Sequence, residues 1–370
     1  MQRQDDKPKY LLEHVVEYLK TISRITGRNT IAYYSGWMKN NNPETQILET
    51  DKNAFMNAVY QMDRAKGLNL ILHTPGGDIA ATEGIVDYLQ SLFDGKVHAI
   101  VPQISMSAGT MMAISCKDIL MGRQSSLGPI DPQIGGIACQ MVVSEFYQAA
   151  NEIKQEPSRL GLWKEIIGKY PVAFMTTCTD AIKWSEELAE KWLRNVNPDI
   201  DIDIFKNTFI NHSHSYSHSR RIQRSECRKA GLQIQDLEDN QDLQEAVLSL
   251  HHCLMILMDI APILKFVTNQ EGRYIFRPRV KRKNDFLESL TCLRLRRPLP
   301  NVKKRRRVLI FSTIFFAVPL FLPIFANGNK TMVVHPGEQR LLLGHQGRAF
   351  FMPAKNVSNY SQKILAVAIP

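Results

Sequence analysis

The sequence predicts an α/β fold, and three observations carry that prediction. Leu68 to Gly77 reads LNLILHTPGG, an apolar strand candidate ending in Thr74-Pro75-Gly76-Gly77. Val97 to Val101 is a second apolar run; it meets a knot of small residues, Ser105, Ser107, Ala108 and Gly109, ahead of the helix-compatible stretch Thr110 to Ser115. Between the two runs, Asp78 to Phe93 carries Ile79, Ile85, Val86 and Leu89 at near-helical spacing. The pattern is strand, P-G-G, helix, strand, S-A-G, helix. Ser107 follows Gly77 by thirty residues, the length of one βαβ repeat.

The other elements follow in order. Tyr10 to Ile25 has the apolar stripe of an amphipathic helix (Leu11, Leu12, Val15, Val16, Leu19, Ile22), and the polar stretch Met1 to Lys9 before it is not a signal peptide. Ile31 to Tyr34 is a first strand, Lys39 to Thr50 a polar loop and Ala54 to Lys66 a helix. Asp118 to Met121 is a short buried strand. Gly122 to Gly136 is a Gly/Pro-rich loop expected to cross the site. Beyond it the pattern is mainly helical: Val142 to Glu156, Ser158 to Gly168, Phe174 to Arg194 and Asp236 to Phe266. In the last of these Leu243, Val247, Leu250, Leu254 and Leu257 read as core or subunit contacts.

Two motifs carry chemistry. A serine at a tight strand-to-helix junction exposes its hydroxyl next to free helix N–H groups, as nucleophilic enzymes of several folds require. Taken alone, S-x-S-A-G is equally a close-packed helix start. A Gly pair after a buried strand lets backbone N–H groups turn outward with no side chain in the way, so that they can hold an oxyanion. Taken alone, P-G-G is equally a plain loop. Their succession one repeat apart favours the chemical reading of both.

The HTPGG and SMSAGTMMA elements, with LGPIDPQ after them and QDLQEAVLSLHH (Gln241 to His252) further on, resemble the serine dehydrogenase proteinase family. That family sits in the Clp protease and crotonase clan beside signal peptide peptidase A. The resemblance runs over residues 8–278. It implies a Clp/crotonase-like spiral of ββα units with C-terminal helices, often oligomeric. It also implies Ser107 as nucleophile, with the backbone at Gly76, Gly77 and Ala108 as the oxyanion hole.

The proton acceptor is not settled by the resemblance. Where the Clp peptidase has a histidine in a segment like H-Q-P-L-G-G, this chain has Asp131-Pro132-Gln133-Ile134-Gly135-Gly136. A carboxylate is a weak base for a serine hydroxyl unless burial raises its pKa. Relatives of signal peptide peptidase A use a lysine, which serves only when desolvated. Lys154 lies 47 residues after Ser107 in a helical segment, with Lys164 and Lys169 behind it. The base is open between a lysine, Lys154 first with Lys164 and Lys169 as the other candidates, and Asp131.

Several function classes are excluded or disfavoured. The net charge of +10 resides in Arg277 to Arg307, which holds 13 Lys or Arg against Asp285 and Glu288 and leaves the remainder near −1. A nucleic-acid-binding catalytic part is therefore not expected. No Gly-rich element has nucleotide-binding spacing, so no cofactor is expected. The six cysteines include no C-x-x-C pair, which suggests reduced, buried thiols of a cytoplasmic compartment. Asn211 to Arg221 reads NHSHSYSHSRR. His212, His214 and His218 invite a metal reading, but Ser-rich surroundings with no neighbouring carboxylate or cysteine favour a polar loop at the rim of the site.

Four regions follow: a catalytic domain at 1–278, a basic linker at 279–307, a candidate transmembrane helix at 308–326 and a tail of unassigned function at 327–370. Val308 to Ala326 is nineteen uncharged residues, just long enough to span a hydrocarbon core. Lys303 to Arg307 before it places the catalytic part on the cytoplasmic side. The expected protein is a membrane-associated, homo-oligomeric serine peptidase acting on peptides or proteins. A crotonase-type acyl-thioester enzyme and a catalytically silent scaffold are the alternatives.

Overall fold

The computed structural model describes residues 7–40, 42–211, 217–278, 342–343 and 349–350. The chain divides into two units, 1–298 and 299–370. In the second unit, Leu342–Leu343 and Ala349–Phe350 pair antiparallel. The candidate membrane span 308–326 lies outside the described residues.

The first unit is mixed α/β. Its central sheet is built from β1 (Asn29–Ser35), β2 (Leu68–His73), β3 (Val97–Val101) and β5 (Ile119–Met121), all parallel neighbours. β1, β2 and β3 are buried along their whole length, as continuous apolar runs covered on both faces require. On one face lie α2 (Asp51–Ala58), α3 (Ile79–Leu92) and α4 (Ala108–Ile114), packed through Phe55, Ile85, Leu89 and Met111. On the other, α1 (Lys7–Thr26) buries Leu12, Val15, Leu19 and Ile22 against α10 (Gln241–Ile260). Among the described residues α10 is the one helix long and apolar enough to cross a membrane. Its Leu243, Val247, Leu250, Leu254 and Leu257 are buried in this core.

The structure departs from the sequence reading in three places. The helix expected over Ala54 to Lys66 spans Asp51–Ala58 instead, and Gln61 beyond it takes a left-handed φ of 62°. The helical stretch expected to reach Phe266 ends at Ile260. After Pro262 the chain becomes β11 (Ile263–Asn269), antiparallel to β1, and β12 (Tyr274–Pro278) continues the sheet. Proline cannot continue a helix, and a strand there buries Leu264, Phe266 and Val267. The loop expected at Gly122 to Gly136 contains a short strand, β6 (Ser126–Leu127), and enters a two-stranded hairpin of β7 (Gln133–Ile134) and β8 (Ile137–Ala138).

One buried cluster sets an acid limit. The His73 ring packs against Trp37, Tyr34 and His251 at centroid distances of 4.6, 5.2 and 5.2 Å, and among the described residues neither ring nitrogen has a hydrogen-bond partner. Burial pulls His73 down to about 3 and His251 down to about 4. Both pKa values are lowered by folding, so between pH 6.5 and 3–4 the unfolded chain binds more protons. Stability is then full above about pH 6.5 and falls as pH drops, by about 1.4 kcal/mol per pH unit for each histidine. Urea midpoints at pH 7 and pH 5 are expected to show this loss, with the slope roughly halved in His73→Phe. An identical loss in the variant contradicts it.

Candidate active site

A small second sheet assembles the site. β4 (Ile104–Ser105) pairs parallel with β6, and β6 pairs antiparallel with β9 (Ile222–Gln223). The registers are Ser105↔Leu127 and Leu127↔Ile222. Moving off one end of this sheet, the chain reaches Ser107 two residues after Ser105 and Asp131 four residues after Leu127. Reading backwards from Ile222 by four residues gives His218. The strand directions therefore set Ser107, Asp131 and His218 off the same end of this sheet.

Ser107 is the N-cap of α4 with φ 51° and ψ −121°. A non-glycine residue held there costs on the order of 1–3 kcal/mol, which the surroundings must supply. They do so by burial: every residue of α4 is buried. Gly109 N–H donates to Met106 O at 2.7 Å, closing the turn. The helix is tied to the loop after β6, since Gly128 N–H donates to Thr110 Oγ1 at 3.0 Å and Thr110 Oγ1 lies 2.9 Å from Gly128 O.

Beside this turn runs the Thr74 to Asp78 segment. Met106 N–H donates to Thr74 O at 3.0 Å. On the other side Ile47 N–H donates to Gly76 O at 2.8 Å, and Asp78 N–H donates to Ile47 O at 3.0 Å. In such a parallel bridge (Ile47↔Gly77) the N–H of the middle residue, Gly77, points the opposite way. Gly77 and Ala108 line the same cavity as Ser107. Ala108, as the first helical residue, has no intrahelical acceptor for its N–H. Glycine is obligatory at Gly76 and Gly77. A Cβ on Gly77 would lie 2.3 Å from Ile47 N. One on Gly76, at φ +92°, would lie 2.6 Å from Met106 O and 2.8 Å from Ser107 Cβ.

The cavity, of about 220 Å³, is lined by Ser107, Ala108, Gly77 and Asp131 together with apolar Ile79, Met111, Ile130 and Trp184. Asp131 is buried, and its Oδ1 lies 2.5 Å from Nδ1 of half-exposed His218. With the carboxylate as acceptor, Nδ1 carries the proton, and in the neutral imidazole Nε2 is then the acceptor nitrogen. Among the described residues no hydrogen bond joins Ser107 Oγ to His218. His212 and His214 lie outside the described residues. Lys154 is exposed in the last turn of α5 (Cys139–Gln155), and Lys164 and Lys169 are exposed as well. None of the three lines the Ser107 cavity.

The structure thus brings Ser107, Gly76, Gly77, Ala108 and Asp131 together and sets Lys154 apart from them. Two residues of the site stand outside its sequence motifs. His218 belongs to the Ser-rich segment expected as a polar rim loop, and its pairing with Asp131 has no local sequence signal. Ile47 belongs to the expected Lys39 to Thr50 loop, where only the apolar pair Ile47-Leu48 signals its fully buried side chain.

Residues 45–160 match the ClpP-like SDH-type serine proteinase family. This ClpP-like segment contains the Gly76-Gly77 turn, Ser107 and Asp131, but ends before His218. Two uncharacterized proteins of Methanocaldococcus jannaschii are similar to the chain. One is 29% identical over 106 residues, covering 29% of this chain and 36% of the relative. The other is 33% identical over 98 residues, covering 26% and 34%. The chain spans about a third of the length of these curated relatives.

Proposed function

We propose that the chain is a serine peptidase in which Ser107 attacks the scissile carbonyl, His218 takes its proton, and Asp131 holds the imidazole in the required tautomer. The N–H groups of Gly77 and Ala108 receive the oxyanion. The carrying observation is that Asp131, which lines the cavity of the strained Ser107, also pairs with His218 at 2.5 Å. In this order the carboxylate stands where the Clp peptidase has its histidine, and the histidine comes from the turn that leads into β9. Apo geometry with no serine–histidine bond fits a base that engages on substrate binding. The ClpP-like match supports peptide bonds as the bonds cleaved. The test is hydrolysis of casein and of fluorogenic peptides by the full chain and by Ser107→Ala. Turnover confined to the wild type supports the reading, and equal rates in both sink it.

The proposed enzyme sits at the cytoplasmic face of a membrane, a reading supported by the basic cluster 303–307 and the apolar run 308–326, and the family resemblance supports a homo-oligomer. Deletion of 303–326 is expected to move the protein from the membrane pellet to the soluble fraction. Retention in the pellet contradicts the tether.

A further inference from the structure

We propose that Lys265 and Asp51 position the oxyanion hole by clamping the segment around Ile47 that aims Gly77. The inference rests on the peptidase reading.

Lys265 sits on β11 and Asp51 opens α2. Both are buried. Lys265 Nζ donates to Asp51 Oδ1 and Oδ2, each at 2.7 Å, and to Gln46 O at 2.7 Å. Asp51 Oδ2 accepts from Tyr33 Oη at 2.8 Å and from Leu48 N–H at 3.0 Å. Ser35 Oγ donates to Thr45 O at 2.6 Å. The bonds to Thr45, Gln46 and Leu48 flank Ile47 on both sides. Ile47 in turn fixes Gly76 O and Asp78 N–H, and that arrangement turns Gly77 N–H away from Ile47, in a residue that lines the Ser107 cavity.

A buried ion pair is a weak source of stability, because desolvating two charges costs about as much as their attraction returns. Its worth here lies in direction. Lys265 has three donors, and all three acceptors lie in the segment between Gln46 and Asp51, so the ammonium fixes that backbone in one register. An apolar pair of similar volume would fill the space without specifying where Gln46 O points.

The test uses the full chain and two variants, Lys265→Met and the charge-free double variant Asp51→Leu/Lys265→Met. The double variant leaves no unpaired buried charge and serves if the single variant does not fold. Amide hydrogen exchange is read at Ile47 and Asp78, with the β2 and β3 amides as internal reference, alongside kcat and KM on a fluorogenic peptide. Exchange at Ile47 and Asp78 is expected to rise at least tenfold with the reference amides within twofold. A fall in kcat of tenfold or more is expected with KM within twofold, a split that general loosening of the fold would not give. Exchange and kcat both within twofold of wild type in the folded double variant overturn the clamp. Faster exchange in a protein whose wild type shows no Ser107-dependent hydrolysis upholds the clamp on Gly77 and counts against the peptidase reading alone.

Discussion

Replacing His218 by alanine is expected to lower kcat by about 10²- to 10⁴-fold, the range a positioned general base contributes. KM is expected to change little, because the imidazole acts on the proton of Ser107 and not on the bulk of the substrate. Asp131→Asn tests the same unit from the other side. An amide can donate to Nδ1, which allows the tautomer with the proton on Nε2, and a large fall in kcat is expected with the fold retained. Since 0% of the Asp131 side chain is exposed, the asparagine also removes a buried charge, so unfolding midpoints must accompany the rates. Lys154→Ala, by contrast, removes an exposed side chain and is expected to leave kcat within about twofold. Full activity in His218→Ala together with a large loss in Lys154→Ala would reverse the assignment of the base.

Gly76→Ala carries the second large effect. The new methyl would stand 2.6 Å from Met106 O, 2.8 Å from Ala108 N and 2.8 Å from Ser107 Cβ. None of these is the free end of a flexible side chain. The backbone must move, and what moves is the turn that presents the nucleophile and one oxyanion donor. A loss of about 10²-fold or more in kcat is expected, comparable to removing an oxyanion donor, with on the order of 1–3 kcal/mol of destabilisation from the unfavourable φ. Gly84→Ala is the matched control. It lies within α3, and its Cβ would meet only Lys52 Nζ, at 3.4 Å. Equal activity in the two variants would show that the Gly76 turn does not serve the chemistry.

What could be read in the sequence follows the reach of the interactions involved. The β2 and β3 strands, the Gly76-Gly77 turn and Ser107 all lie within one βαβ repeat, where apolar runs and small residues mark local structure directly. The Asp131–His218 pair joins residues 87 positions apart, through the two-residue strand β9, too short to show any periodicity. The same limit hid Ile47: its role depends on a single bridge to Gly77, which leaves no pattern in the segment itself. Lys154 illustrates the converse. Helical spacing located the helix it stands on, yet the exposed side of that helix is set by how it packs. The strands β11 and β12 were obscured by the apolar continuity from α10 into Ile263–Asn269.

Fluorophosphonate labelling of the full chain, with the modified peptide located by mass spectrometry, tests the central claim most directly. The account predicts a single adduct on Ser107, absent in Ser107→Ala and formed at least tenfold more slowly in His218→Ala at the same pH. A folded protein that takes no adduct at Ser107, or that labels equally fast without His218, would contradict it.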